Sequence, residues 1–253
     1  MQNTIAPLQQ GFLESEFERL CSLTFASAER VMPVFMLTQE MQEAIWITSS
    51  TRAVVFRARM SGDLTAAVYE FFEQCGMHFG FSEELLCRSE KLTAVPSMNI
   101  RLTPSIARRG IRMHLNFVQD QSFFTEAAFA SYIDRLASMK FNYLLFHMYN
   151  SQEWYPFTYR GLRHLSQKLG NLDGQPLPDD MIGRARIRTK RIWYPAEFES
   201  IEDPEALLLA VHERYLRMME RAKARGMTVA ASIEPEDISE VFEQKVLAWS
   251  NEE

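Results

Sequence analysis

What the 253-residue sequence lacks narrows its class before any motif is read. No apolar run reaches the roughly 18–20 residues that a membrane-spanning helix needs. The first residues, Met1-Gln2-Asn3-Thr4, carry no basic stretch followed by an apolar segment, so a secretory signal is not expected. Cysteine is scarce: Cys21, Cys75 and Cys87 are an odd set without metal-ligand spacing, read as reduced and structural, and no metal or cofactor is expected. Positive charge is not in excess either. A net charge of −6 gives the whole chain no attraction for nucleic acid or an anionic membrane, so neither is an expected partner. The expected compartment is the cytoplasm, or outside the cell if a leader precedes Met1.

What is present is an ordinary globular composition, 47% hydrophobic and 24% charged, enough for a core. Gly11 to Arg30 has a loose helical pattern in Phe12, Phe17, Leu20, Leu23 and Phe25. Ala44 to Thr48 and Ala53 to Ala58 are β-rich runs separated by a turn-like break, which predicts a hairpin. Ser61-Gly62-Asp63 supplies the expected N-cap of a helix whose stripe is Leu64, Ala67, Val68, Phe71, Phe72 and Cys75, ended by Gly76. His78 to Phe81 is expected to return as a strand. Pro96 to Pro104 reads as a connector between domains.

Beyond the connector the pattern becomes an alternation of strand and helix. Ile111 to Phe117 alternates as a strand, and Thr125 caps a helix with Phe129, Tyr132, Ile133, Leu136 and Ala137 on one face. Asn142 to Met148 is a nearly continuous apolar run, expected of a strand buried on both sides. After a long irregular stretch, Asp203-Pro204 places an N-cap ahead of proline at the first helical position. Leu207, Leu208, Val211, Tyr215, Met218 and Ala222 continue that helix to Gly226. Met227 to Ile233 is the next strand, and Asp237 to Trp249 begins another helix. This order predicts parallel strands with right-handed crossovers.

The segment Asn142-Tyr143-Leu144-Leu145-Phe146-His147-Met148-Tyr149-Asn150-Ser151-Gln152-Glu153-Trp154 resembles the second barrel strand of the β-N-acetylhexosaminidase family. Arg109-Gly110 resembles the start of that family's first barrel strand, and Asp203 to Val229 its helix before strand three. Ile45 to Gly76 looks like the α/β domain ahead of the barrel in hexosaminidases and α-glucuronidases. The resemblance spans about residues 40–245 and implies an α/β fold. Residues 1–105 are the expected small α+β domain, and 106–253 part of a (β/α)8 TIM barrel with about three β/α units.

It further implies a glycoside hydrolase acting on O-glycosidic bonds in oligosaccharides, with an oligosaccharide or glycoside as substrate. Sites in such barrels form at the C-terminal strand ends. The candidate sugar-binding residues are Arg109, His147, Asn150, Gln152, Trp154 and Glu234. Four of them have a plainer role: Arg109 as an ion-pair partner, His147 as a core histidine, Trp154 as loop packing, Glu234 as a solvated loop carboxylate or the N-terminal charge of the last helix.

The chain also departs from the family. Hexosaminidases carry acidic residues where Asn150 and Ser151 stand, and Pro-Gly-His after strand three where this chain has Pro235-Glu236-Asp237. Their adjacent Asp-Glu acid/base pair follows a fourth strand. The expectation is therefore a truncated chain without that pair, its exposed barrel edges inclined to self-association. The alternative is a non-catalytic carbohydrate-binding or scaffold remnant. Eight cations against three acids between Arg160 and Arg191 read first as a solvated loop, and second as a contact for an acidic sugar.

Overall fold

A computed structural model describes residues 2–26, 31–81, 90–114, 124–149, 157–164, 196–234, 244–245 and 247–248. The chain divides into two compact units: Met1–Ile111 with Ser131–Leu144 and Glu220–Val229, and Arg112–Ala130 with Leu145–Met219 and Ala230–Glu253. The architecture is mixed α/β.

The first unit is built on a five-stranded sheet. Its strands are β1 (Gln2–Asn3), β2 (Met32–Thr38), β3 (Ile45–Ser49), β4 (Ala53–Ala58) and β5 (Met98–Leu102), in the order β1-β2-β4-β3-β5. The expected hairpin is there: β3 and β4 run antiparallel with Ile47 opposite Phe56. β2 pairs in parallel with β4, and β5 antiparallel with β3. Strict alternation buries Ile45, Ile47 and Ser49 of β3 and Val54, Phe56 and Ala58 of β4 on one face.

Helices α1 (Pro7–Thr24) and α2 (Ser61–Gln74) supply apolar partners for this core. Phe17 of α1 meets Phe56 edge-on at 5.8 Å between ring centres, and Phe71 of α2 meets Phe56 edge-on at 5.9 Å. All three rings are almost completely buried, and removing any one of them costs about 3–5 kcal/mol. On the partly exposed face Trp46 lies between two guanidiniums, Arg57 at 4.6 Å and Arg101 at 4.3 Å from the ring centre, and donates Nε1–H to Asn99.

Several local expectations need correction. Met60, not Ser61-Gly62-Asp63, supplies the N-cap of α2, and no side chain caps it, because Ser61 already lies in the first turn. His78 to Phe81 forms no strand. The strand lies instead at β5, inside the supposed connector, where Met98, Ile100 and Leu102 point inward between two prolines. β2 had no sequence expectation at all.

A second sheet orders β10 (Thr228–Glu234), β7 (Tyr143–Tyr149) and β6 (Gly110–His114). Helices α3 (Glu126–Ser138) and α4 (Pro204–Ala224) are the connecting helices that the sequence predicts. Both expected caps form: Thr125 Oγ1 accepts the Ala128 N–H at 3.2 Å, and Asp203 Oδ2 accepts the Ala206 N–H at 2.9 Å. The boundary between the units passes through β6, α3, β7, α4 and β10. No barrel closes among the described residues, and a β8–β9 hairpin (Phe157–Tyr159 and Leu162–His164) interrupts the stretch expected to be irregular. Its turn residues, Arg160 and Gly161, both have positive φ, as a two-residue type I′ turn requires.

Candidate functional site

The second unit holds the C-terminal half of β7. Phe146, at the heart of that half, packs edge-on against Tyr215 of α4 at 6.1 Å and lies 6.4 Å from Phe129 of α3. All three rings are almost completely buried. Successive side chains of a strand point to opposite faces, so His147 faces away from these helices. It is nonetheless 2% exposed, so β7 is buried on both sides here, as its apolar sequence predicts. Its Nδ1 lies 3.1 Å from Ser232 Oγ of β10. The hydroxyl donates or accepts according to which ring nitrogen carries the proton.

The same unit braces the start of α3, which follows the β6–α3 connection. Arg217 grips the Glu126 carboxylate through two bonds of 2.8 and 2.6 Å, and the Glu126 N–H donates to Glu197 at 3.1 Å. Arg214 is completely buried and donates to the Phe124 carbonyl, with Glu197 at 4.0 Å. Burial pulls this guanidinium below its ordinary value, while Tyr215, Glu197 and Glu126 oppose the shift. Guanidinium retains its proton in proteins, so Arg214 remains a cation whose partners keep Phe124 and the 3-10 turn Ala196–Phe198 in place.

Arg109 stands at the opening of β6, in the first unit, and its guanidinium is committed to protein groups. Nε donates to the Lys140 carbonyl at 2.7 Å, Nη1 to the Ile106 and Ala107 carbonyls at 2.9 and 3.4 Å, and Nη2 to Asp63 at 3.4 Å. Burial raises the Asp63 carboxyl above its ordinary value, with the Arg109 hydrogen bond and charge opposing it. In this arrangement Arg109 works as a strap between the β6 entrance, the end of α3 and α2.

Of the other expected sugar ligands, Asn150, Gln152 and Trp154 lie outside the described residues, and Glu234 is described only as the last residue of β10. Cys87 and most of the basic stretch 160–191 also lie outside them. The structure therefore joins His147 to a residue that sequence reasoning passed over, Ser232. The signal was its place two residues before Glu234 in an apolar strand, where a hydroxyl must find a partner.

These elements define an α/β fold shared with glycoside hydrolases. No family model matches the sequence, and no curated protein matches it. Among solved structures, the chain is similar to an N-acetyl-β-hexosaminidase of Streptomyces plicatus in complex with thio-NAglucal, at 15% identity and TM-score 0.53. That match covers 90% of this chain and 40% of the other. A family GH20 exo-β-N-acetylglucosaminidase of Vibrio harveyi, in complex with N-acetylglucosamine, matches at 16% identity and TM-score 0.53, over 90% of this chain and 31% of its own. A GH138 enzyme targeting pectin rhamnogalacturonan II matches at 11% identity and TM-score 0.56, over 96% and 25%. Likeness at such identity is likeness of fold, and this chain spans well under half the length of each.

Proposed function

We propose that this chain acts on carbohydrate as part of a glycoside hydrolase of hexosaminidase-like type, cleaving O-glycosidic bonds in oligosaccharides. The observation that supports this most is the likeness of fold. The chain is similar over nine-tenths of its length to two hexosaminidase-type enzymes, one in complex with thio-NAglucal and one with N-acetylglucosamine. On this reading residues 1–105 are the non-catalytic α/β domain and 106–253 contribute to a barrel. The sugar meets the C-terminal ends of β7 and β10. His147, positioned by Ser232, binds a hydroxyl; Asn150, Gln152 and Glu234 add polar contacts, and Trp154 offers a flat apolar face. N-Acetylhexosamine is the first sugar to test, because N-acetylglucosamine is the ligand in one of the similar structures.

The test is a titration of the chain with N-acetylglucosamine, glucuronate and glucose, followed by tryptophan fluorescence and by the His147 ring protons in NMR. A saturable response to N-acetylglucosamine, weakened at least tenfold by Trp154→Ala and by His147→Gln, is expected. No saturable response to any of the three sugars would sink the reading. Parallel incubation with 4-nitrophenyl N-acetyl-β-glucosaminide separates two roles: binding with turnover marks catalysis by this chain, and binding without turnover marks a carbohydrate-binding module.

A further inference from the structure

At the opposite, N-terminal ends of the strands, wholly within the first unit, lies a cavity of about 430 Å³. Its walls come from the first turn of α2 (Ser61 and Gly62), the entrances of β7 (Asn142 and Tyr143) and β10 (Thr228), and the residues around them. Among the described residues that line it, three are cationic, Arg59, Arg108 and Lys223, and none is acidic. They are far apart in sequence and arrive by three routes. Arg59 sits in the two-residue link between β4 and α2, Arg108 precedes β6, and Lys223 lies in the last turn of α4.

Three like charges around one cavity repel one another unless something neutralises them. Asp63, the nearby carboxylate of α2, is not part of the lining. It lies 3.4 Å from Arg109 and also feels the Arg59 charge, so it offsets part of Arg59 but reaches neither Arg108 nor Lys223 with an ion pair. The Arg108 guanidinium lies 4.9 Å from the centre of the Tyr143 ring, which orients it without cancelling its charge. No ion pair joins Arg59, Arg108 or Lys223 to another described residue.

The α2 terminus adds to the same polarity. Its N-cap, Met60, is extended and supplies no side-chain acceptor, and the first main-chain bond of the helix is Leu64 N–H to Met60 O at 3.0 Å. Among the described residues no side chain caps the N–H groups of the first turn, and the positive end of the helix dipole adds to the three side chains. Packing fixes this end in place: a Cβ added at Gly62 would stand 2.6 Å from Asn142 Cβ and 3.1 Å from the Gly226 carbonyl oxygen.

We propose that this cavity binds the phosphate group of a phosphorylated small molecule of monosaccharide size, with Arg59, Arg108 and Lys223 around the phosphate and the first turn of α2 beneath it. A dianionic phosphate ester answers three cations better than a single carboxylate does, and guanidinium groups match its oxygens two at a time. The volume falls in the range of small-molecule sites, roughly 300–1,000 Å³, and is far larger than a bare oxyanion fills.

The experiment is a titration of the whole chain with glucose 6-phosphate, inorganic phosphate and glucose at constant ionic strength set by sodium chloride. Amide shifts of Ser61 and Gly62 and the melting temperature are the readouts. Glucose 6-phosphate is expected to give saturable shifts and a raised melting temperature, while glucose gives neither. Arg59→Gln and Lys223→Gln are each expected to weaken binding at least tenfold; Lys223 is exposed and Arg59 half-buried, and retained amide dispersion verifies the fold of both variants. Shifts that never saturate, or unchanged affinity in both variants, would overturn the site. Inorganic phosphate binding as tightly as the ester would overturn the ligand class. A sugar response confined to the His147 end leaves this pocket unsupported, so the two readings fail separately.

Discussion

Asn142 accepts the Arg109 backbone N–H at Oδ1 over 2.8 Å and returns its Nδ2–H to the Ala107 carbonyl, also at 2.8 Å. Its main chain is equally occupied: its N–H donates to the Arg109 carbonyl and its own carbonyl accepts from Thr228 N–H, both at 2.9 Å. One asparagine therefore joins the entrances of β6, β7 and β10. Asn142→Leu keeps the volume but strands the partly buried Arg109 N–H, a loss of about 1–3 kcal/mol. Urea unfolding should show a lower midpoint at constant slope, and an unmoved midpoint would show that the side-chain bonds contribute nothing.

Lys140 gives a pH-dependent prediction. It ends α3 with a left-handed backbone (φ 66°), while Phe141 N–H reaches back to the Leu136 carbonyl and Lys140 N–H to that of Ala137. This is a Schellman ending, usually built on glycine, with lysine in the special place. The reason is its ammonium, which binds both Glu70 and Glu73 of α2. Burial pushes the Glu70 carboxyl up, but the hydrogen bonds from Lys140 and Gln74 prevail and hold it below its ordinary value. Burial likewise pulls the Lys140 ammonium down, and the Glu70 and Glu73 hydrogen bonds prevail and raise it.

A depressed carboxyl adds stability that is present above its unfolded pKa and lost as pH falls through the folded value. A raised lysine adds stability that is present below its unfolded pKa and lost as pH climbs through the folded one. Lys140→Met should therefore lower the neutral plateau and flatten the acid limb below the ordinary glutamate pKa of about 4.3. Urea midpoints measured from neutral pH to about pH 3 check this. Wild type and variant curves that stay parallel through the acid limb would exclude a Lys140–Glu70 linkage.

How much of this was legible in sequence depends on whether the signal was local. Thr125, Asp203 and Pro204 announce their helices because capping is a contact within one turn. The burial of β7 on both faces was legible from a nearly continuous apolar run. β2 was not, because Pro33 demotes the segment and only Leu37 is fully buried. α1 was read in part: Phe17 and Leu20 do lie on its inner face, which is completed by Gln9, Leu13 and Thr24, two of them polar, while Leu23 is more than a third exposed. The cation-lined cavity was invisible, since Arg59, Arg108 and Lys223 meet only through tertiary structure. Arg109 was legible as important through Arg-Gly, yet its hydrogen bonds run to main-chain carbonyls that no motif specifies.

Cys21 and Cys75 are free thiols, in keeping with the reading of reduced cysteines. Cys21 is only half-buried, so access alone does not protect it. Burial, then Cys75 and Glu18, push its thiol up to about 12. The thiolate is the nucleophile, so Cys21 should resist iodoacetamide near pH 8, about the ordinary thiol pKa. Mass spectrometry of the labelled native chain should find Cys21 unmodified, and labelling in urea should modify it fully. Rapid native labelling of Cys21 would contradict the protonated thiol.

Two glycines separate backbone strain from collision. Gly161 and Gly226 share the same left-handed φ of 77°, so alanine suffers the same conformational cost at each, about 1 kcal/mol. Their surroundings differ. A Cβ at Gly161 meets nothing within 4 Å, whereas one at Gly226 stands 2.6 Å from both Gln9 Nε2 and the Ser61 carbonyl oxygen. Gln9 is 1% exposed and donates to Ser61 O at 2.8 Å and Thr65 Oγ1 at 3.3 Å, so moving it breaks the tie between α1 and α2. Moving Ser61 instead displaces the first turn of α2 and the cavity it lines. Gly226→Ala should therefore cost about 1–3 kcal/mol beyond Gly161→Ala, the usual range for overpacking. Urea midpoints of the two variants decide it, and equal losses would mean that the Gly226 contact is loose enough to accept a methyl group.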